Sequence, residues 1–270
     1  MEDYLTEDAK CIIKKAIGNP YLTNCFLYYK DVLDMVDSKI IHVKCMEDIV
    51  VLVHEIGDIH KMYYCLKSVN VWIEKIRREL NRELSVYPHL EAELVIRDGF
   101  RMPNVLEKLK FRFYKEYVRK QLIVQPGFVC EETKFVKTAN TADEDCIYEL
   151  LYKTFDIMSD QLVSRKELSA LIKSGQVLIV KKRENMAGVL LFETHGKKSY
   201  LRALCVDSNY TGQRVGVSLM ANYIKRNIQY VKMFYLWVES TNEPAKRLYE
   251  KLGYQDDGLK NYIYLYNGTY

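Results

Sequence analysis

Between Tyr200 and Tyr254 the chain runs strand, turn, amphipathic helix, strand and second helix, an order that few folds accommodate. The apolar run Leu201-Arg202-Ala203-Leu204-Cys205-Val206 leads into Asp207-Ser208-Asn209-Tyr210-Thr211-Gly212-Gln213-Arg214-Val215-Gly216, a turn rich in small residues. Beyond it Val215, Leu219, Tyr223, Ile224 and Ile228 keep helical spacing. Phe234-Tyr235-Leu236-Trp237-Val238 reads as a buried strand. Pro244 suits the first turn of the last helix, where an N–H would be unpaired anyway. A small-residue turn feeding a helix N-terminus aims several backbone N–H groups at one spot, with the helix dipole behind them. The expected product is a site for a pyrophosphate-bearing ligand on a mixed α/β scaffold.

The preceding segment extends this unit. Phe135–Thr138 reads as a short strand, and Thr141-Ala142-Asp143-Glu144 as a capped helix start carrying Ile147, Leu150, Leu151 and Phe155 on one face. A second helix is expected over Arg165–Lys173, stopping at Ser174-Gly175. Val177–Val180 and Ala187–Phe192 read as paired strands turning at Arg183-Glu184-Asn185, and Lys260–Tyr266 as the strand that closes the sheet. The best boundary is Gln125-Pro126-Gly127-Phe128, which places a junction near 124–132 and domains at 1–126 and 130–270.

The first domain echoes the second. Hairpin-like runs at 49–56 and 60–66 precede a helix from about Asn70 to Leu84, a strand from Ala92 to Ile96, and Leu106-Glu107-Lys108-Leu109-Lys110-Phe111 followed by strand-like Tyr114–Arg119. That order repeats the second half, but no glycine-bearing loop stands before Val71, and Leu106 takes the place of Tyr249. The expectation is a smaller N-terminal α+β domain, a degenerate repeat without a cofactor site.

Bulk properties exclude several classes. The chain has 270 residues, 49% hydrophobic and 28% charged, enough for one large or two ordinary domains. A formal charge of +4 without a long Lys/Arg block argues against nucleic acid as a partner. No apolar run approaches the ~18 residues of a membrane span. Seven dispersed cysteines without a CxxC, and an acidic N-terminus, favour a reducing, cytoplasmic setting.

Residues 135–266 resemble a complete domain of the GNAT superfamily, the acyl-CoA N-acyltransferases. The family's (Gln/Arg)-x-x-Gly-x-(Gly/Ala) falls on Thr211-Gly212-Gln213-Arg214-Val215-Gly216, with Thr211 for Gln/Arg and Arg214 for the first Gly. The backbone cradle is expected to survive, because a residue entering a helix needs no positive φ. The segment from Asn242 through Ala245 and Tyr249 to Gly253-Tyr254 follows Asn-x-x-Ala-x-x-(Leu)-Tyr-x-x-x-Gly-(Phe/Tyr). The resemblance implies an α/β (α+β) fold: a mixed, mostly antiparallel sheet with splayed central strands flanked by helices. It also implies acetyl-CoA as co-substrate and an amine acceptor, small molecule or peptide. The chain would work as a monomer or homodimer, with no metal.

The resemblance assigns roles. Backbone groups of Leu204, Cys205 and Val206 would take the pantetheine like an added strand, and the polarising N–H would lie near a strand bulge at 204–206. Thr211, Gly212, Gln213, Arg214, Val215 and Gly216 would cradle the phosphates. Asn242, with Ala245 one turn on, would hold the pantetheine arm or cap the last helix. Tyr249 would protonate the departing thiolate, since a phenol with pKa near ~10 is still protonated at neutral pH. Strand 200–206 carries no carboxylate or His, so the base candidates are Glu193 and Glu239 or a water relay. Cys205 reads as packing and His195 as a loop residue. Two other classes share these features: a CoA-binding or regulatory module, and an aminoacyl or other acyl transferase on a doubled fold.

Overall fold

The computed structural model describes residues 5–19, 21–57, 59–71, 73–99, 105–125 and 135–267, with the side chains of 73–76 excepted. The boundary residues Pro126-Gly127-Phe128 therefore lie outside the described residues. Two compact units divide the chain, Met1–Glu116 with Leu259–Tyr270, and Tyr117–Gly258.

The N-terminal unit runs α1 (Glu7–Ala16), α2 (Tyr29–Asp37), β1 (Ile41–Cys45), β2 (Ile49–Ile56), β3 (Ile59–Leu66), α3 (Ile73–Leu84), β4 (Leu90–Arg97), α4 (Val105–Lys108) and the start of β5 (Phe111–Ile123). The second unit runs β6 (Val136–Thr138), α5 (Glu144–Thr154), α6 (Arg165–Lys173), β7 (Val177–Lys182), β8 (Asn185–His195), β9 (Lys198–Val206), α7 (Val215–Asn227), β10 (Met233–Glu239), α8 (Glu243–Lys251) and the start of β11 (Gln255–Tyr266). From β1 and β7 onward the two successions match element for element, as the echo predicts. His195 ends β8 rather than lying in a loop.

Each unit takes its last strand from the other half of the chain. Residues 259–265 of β11 pair antiparallel with β4, and residues 117–123 of β5 pair antiparallel with β10. Lys260–Tyr266 thus completes the N-terminal unit rather than closing the sheet beside β10. The expected split at 124–132 follows the chain, whereas backbone pairing carries 117–123 and 259–266 across it.

Local chemistry explains the helices that frame the second unit. Ser164 and Glu167 form a reciprocal capping box at α6, so two otherwise orphaned N–H groups are satisfied. Helix α7 lies close on β8: a Cβ at Gly188 would stand 2.6 Å from a Val215 methyl and 3.2 Å from Leu219. Leu219, Tyr223 and Ile224 of α7 pack with Phe234 and Leu236 of β10, while α5 and α6 cover the other face over Ile179, Val189, Leu191 and Cys205.

Candidate functional site

The site begins where two parallel strands part. β9 and β10 pair from Lys198–Met233 to Leu201–Leu236, yet β9 runs on to Val206 and β10 to Glu239. From Ala203 to Val206, β9 is paired with β8 on one side, and from Arg202 to Val206 it has no strand partner on the other among the described residues. The ladder with β8 jumps from Ala203 to Leu201, so Arg202 is the extra residue of a bulge at the vertex. The bulge expected at 204–206 therefore lies at 201–203, while Leu204, Cys205 and Val206 keep regular pairing with Leu190, Val189 and Gly188.

The Cys205 side chain turns into the α5–α6 layer, away from any nucleophilic role. Burial pushes its thiol up to about 12. Its backbone and those of Leu204 and Val206 form the unpaired edge of β9.

Beyond Val206 the turn tightens into a short 3₁₀ segment over Ser208–Tyr210, with the Asp207 carboxylate accepting from Asn209 N. Thr211 and Gly212 follow, both exposed. Gln213 is committed: its N–H bonds to Tyr210 O, its Nε2 donates to Asn209 O, and its Oε1 accepts from Lys182 Nζ. Arg214 stands at φ 61°, ψ 15°, in the left-handed region. The residue entering this helix does need a positive φ, and the family's glycine at this place is a conformational requirement that Arg214 meets at about 1–2 kcal/mol. The first-turn N–H groups of α7, from Val215 to Val217, have no helical acceptor. A Cβ on Gly216 would meet Leu248 at 3.5 Å and Val206 at 3.6 Å, which is ordinary contact. Protein packing does not demand a glycine there, so the missing Cβ is available to a ligand lying against the turn.

On the far side, Asn242 caps α8, accepting from Ala245 N at 3.1 Å. The Asn-x-x-Ala spacing is thus the spacing of an N-cap and the N–H it accepts from. Tyr249, one face further along α8, is 6% exposed, and its ring lies 5.8 Å from that of Tyr254. Among the described residues nothing hydrogen-bonds its hydroxyl, and burial pushes its pKa above the usual phenol value. A phenol in that setting stays protonated. An unpaired strand edge leading into a helix N-terminus can take an extended ligand with an anionic end.

The two carboxylates part company. Glu193 is opposite Tyr200, beside the vertex, and holds Arg202 at 2.7 Å and His195 at 3.2 Å. Glu239 ends β10, opposite Tyr117 on β5, and accepts from the Thr241 hydroxyl at 2.7 Å. Sequence reasoning gave Tyr117 no part in this site. Its buried hydroxyl donates to Asp160 at 2.7 Å and lies 3.0 Å from the Ser159 hydroxyl, anchoring the α5–α6 loop to β5. Burial first, then the Asp160 charge, raises the Tyr117 pKa, with Glu239 contributing in the same direction. No local pattern could have announced Tyr117, because the β5–β10 pairing that places it joins distant parts of the chain.

Residues 144–254 match the model of the acetyltransferase (GNAT) family. This segment is a GNAT domain. Among solved structures, a tandem GNAT protein from the clavulanic acid biosynthesis pathway superposes with TM-score 0.60 at 8% identity, covering 97% of this chain and 94% of its own. A GCN5-related N-acetyltransferase from Sphaerobacter thermophilus gives 0.59 at 14% identity, over 89% and 85%. Another from Kribbella flavida gives 0.53 at 14%, over 86% and 91%. These identities speak to fold alone, and the fold fits a GNAT domain with a second, N-terminal GNAT-like half. A search of the curated proteins finds no match. The GNAT domain supports acyl-CoA-dependent N-acetyltransfer in general. No helix among the described residues is long and apolar enough to cross a membrane.

Proposed function

We propose that the chain is an acetyl-CoA-dependent N-acetyltransferase acting on a primary amine. The observation that carries this reading is the one-sided edge of β9 from Arg202 to Val206, leading directly into the first turn of α7. An extended, amide-bearing arm can add to such an edge as a strand does, through main-chain hydrogen bonds. The N–H groups of Val215 and Gly216 and the Arg214 side chain would hold the phosphates, beside Thr211 and Gly212. Asn242 and Ala245 would act by fixing the start of α8, and so the height of Tyr249. Acetyl-CoA supplies an acyl group already activated as a thioester.

The remaining work falls to side chains. Tyr249 keeps its proton on Oη and offers it to the leaving sulfur. The ammonium of the acceptor must lose a proton before it can attack, and we assign that proton to Glu239. Glu193 is the weaker candidate, since its carboxylate is already held by the Arg202 guanidinium at 2.7 Å. Glu239 and Asp160 instead put negative charge near Tyr117, where a cationic amine would be drawn.

Calorimetric titration of acetyl-CoA onto the full chain tests the reading, followed by thiol release with a panel of amines. Binding with amine-dependent thiol release is expected. Binding without thiol release would favour a regulatory CoA-binding module, and a larger acyl donor that outcompetes acetyl-CoA would favour a different acyl transfer. No binding at millimolar acetyl-CoA would sink the proposal.

A further inference from the structure

The N-terminal unit contains the same strand geometry, and its wedge is already filled. β3 and β4 run parallel and, among the described residues, pair only at His60–Leu90 and Lys61–Glu91. Beyond them β3 continues to Leu66 and β4 to Arg97, so Met62–Leu66 corresponds to Arg202–Val206 of β9. Here, however, the loop between α1 and α2 lies along the parted edge. Thr23 bridges Cys65 antiparallel, and Leu66 N donates to Leu22 O at 2.8 Å. The Thr23 hydroxyl donates to Tyr64 O.

Asn24 spans the wedge from one strand to the other. Its Nδ2 donates to Met62 O on β3 and to Glu93 O on β4, each at 3.0 Å, and its Oδ1 accepts from Tyr64 N at 2.7 Å. Thr23, Asn24 and Cys25 are all buried. At the vertex a cation locks the strands: Lys61 Nζ meets Glu93 at 2.7 Å and Glu91 at 3.1 Å, all three side chains at most 6% exposed.

These contacts are of the kind a pantetheine arm would make on an unpaired strand edge, made here by the chain itself. We infer that residues 22–25 are a built-in occupant of the N-terminal wedge, and that the chain holds one acyl-CoA, in the C-terminal unit. The inference rests on the proposed function for its ligand. It goes beyond that reading by assigning a number and by naming what closes the second wedge. Displacing the segment would require breaking the Asn24 and Thr23 hydrogen bonds in a buried setting, where unpaired carbonyls are costly.

Equilibrium dialysis of radiolabelled acetyl-CoA against the full chain counts the sites. One molecule per chain at saturation is expected. Two would overturn the inference and leave the proposed function standing, whereas none would remove both. Asn24→Ala then locates the site: the acetyl-CoA Kd should stay within about twofold. A tenfold or greater change would place the ligand against residues 22–25 and overturn the inference. Should Asn24→Ala not fold, Thr23→Val gives the same reading, with the same two outcomes.

Discussion

Among the described residues one wedge is filled by its own chain and the other is not, although both grow from a parallel strand pair that parts after a few residues. In the N-terminal unit the α1–α2 loop drops Thr23 and Asn24 onto β3. In the C-terminal unit the corresponding α5–α6 loop is anchored by Ser159 and Asp160 to Tyr117 on β5. The vertices differ as well, with Lys61 between two buried glutamates in one and Leu201 opposite Leu236 in the other. A duplicated fold therefore need not yield a duplicated site. What decides is whether the backbone edge exposed by the splay is satisfied from within.

The sharpest way to break this comparison is at the charged vertex. Lys61→Met should cost about 3–5 kcal/mol in denaturant unfolding, because it removes the cation that holds two buried carboxylates. A loss under 1 kcal/mol would mean that the triad does not clamp the wedge. Burial is the largest single influence on the Lys61 pKa and lowers it, but Glu93 and Glu91 together outweigh burial and the pKa is raised. Its stabilisation is therefore fully present below the unfolded value of ~10.4 and declines as pH rises through the folded one. In the C-terminal unit, Tyr249→Phe should lower turnover by about 100-fold or more while leaving the acetyl-CoA Kd within about twofold. Equal turnover at every pH would dismiss the proton-donor role.

Glycines separate packing from ligand space. Gly188→Ala forces Val215 and Leu219 to move and should destabilise by about 1–3 kcal/mol. Gly216→Ala should leave the melting temperature nearly unchanged yet weaken acetyl-CoA at least tenfold. A large loss of stability there, or intact affinity, would place the ligand elsewhere. Arg214→Gly relieves a left-handed side chain and should gain up to about 1 kcal/mol in unfolding free energy. The smallest contrast concerns thiols. Cys65 on β3 and Cys205 on β9 are both pushed up to about 12 by burial, so both should resist alkylation at pH 8 while exposed Cys11 and Cys146 react.

The strand-turn-helix order around 200–254 was legible in sequence because apolar spacing, capping residues and Pro244 all act locally. Helix α6 spans Arg165–Lys173 and stops at Ser174 as its sequence indicates, and the structure adds the Ser164 capping box. The exchange of β5 and β11 was not legible, since antiparallel partners on two similar halves offer equivalent apolar edges. The left-handed Arg214 escaped for a related reason: a non-glycine residue announces no positive φ. Of the site, spacing singled out Asn242 and Tyr249 but left Asn242 open between holding a ligand and capping α8; the cap and the burial of Tyr249 come from the folded structure. Tyr117 and the filling of the N-terminal wedge depend on contacts between segments far apart in the chain, and only the folded structure displays them.

Hydrogen exchange with and without acetyl-CoA compares the two edges most directly. Without ligand, amides of β3 from Met62 to Leu66 should exchange slowly, and the unpaired amides of β9 between Arg202 and Val206 faster. Acetyl-CoA should slow exchange at 202–206 and 212–217 and leave 62–66 unchanged. Protection appearing at 62–66, or none at 202–206, would contradict the account.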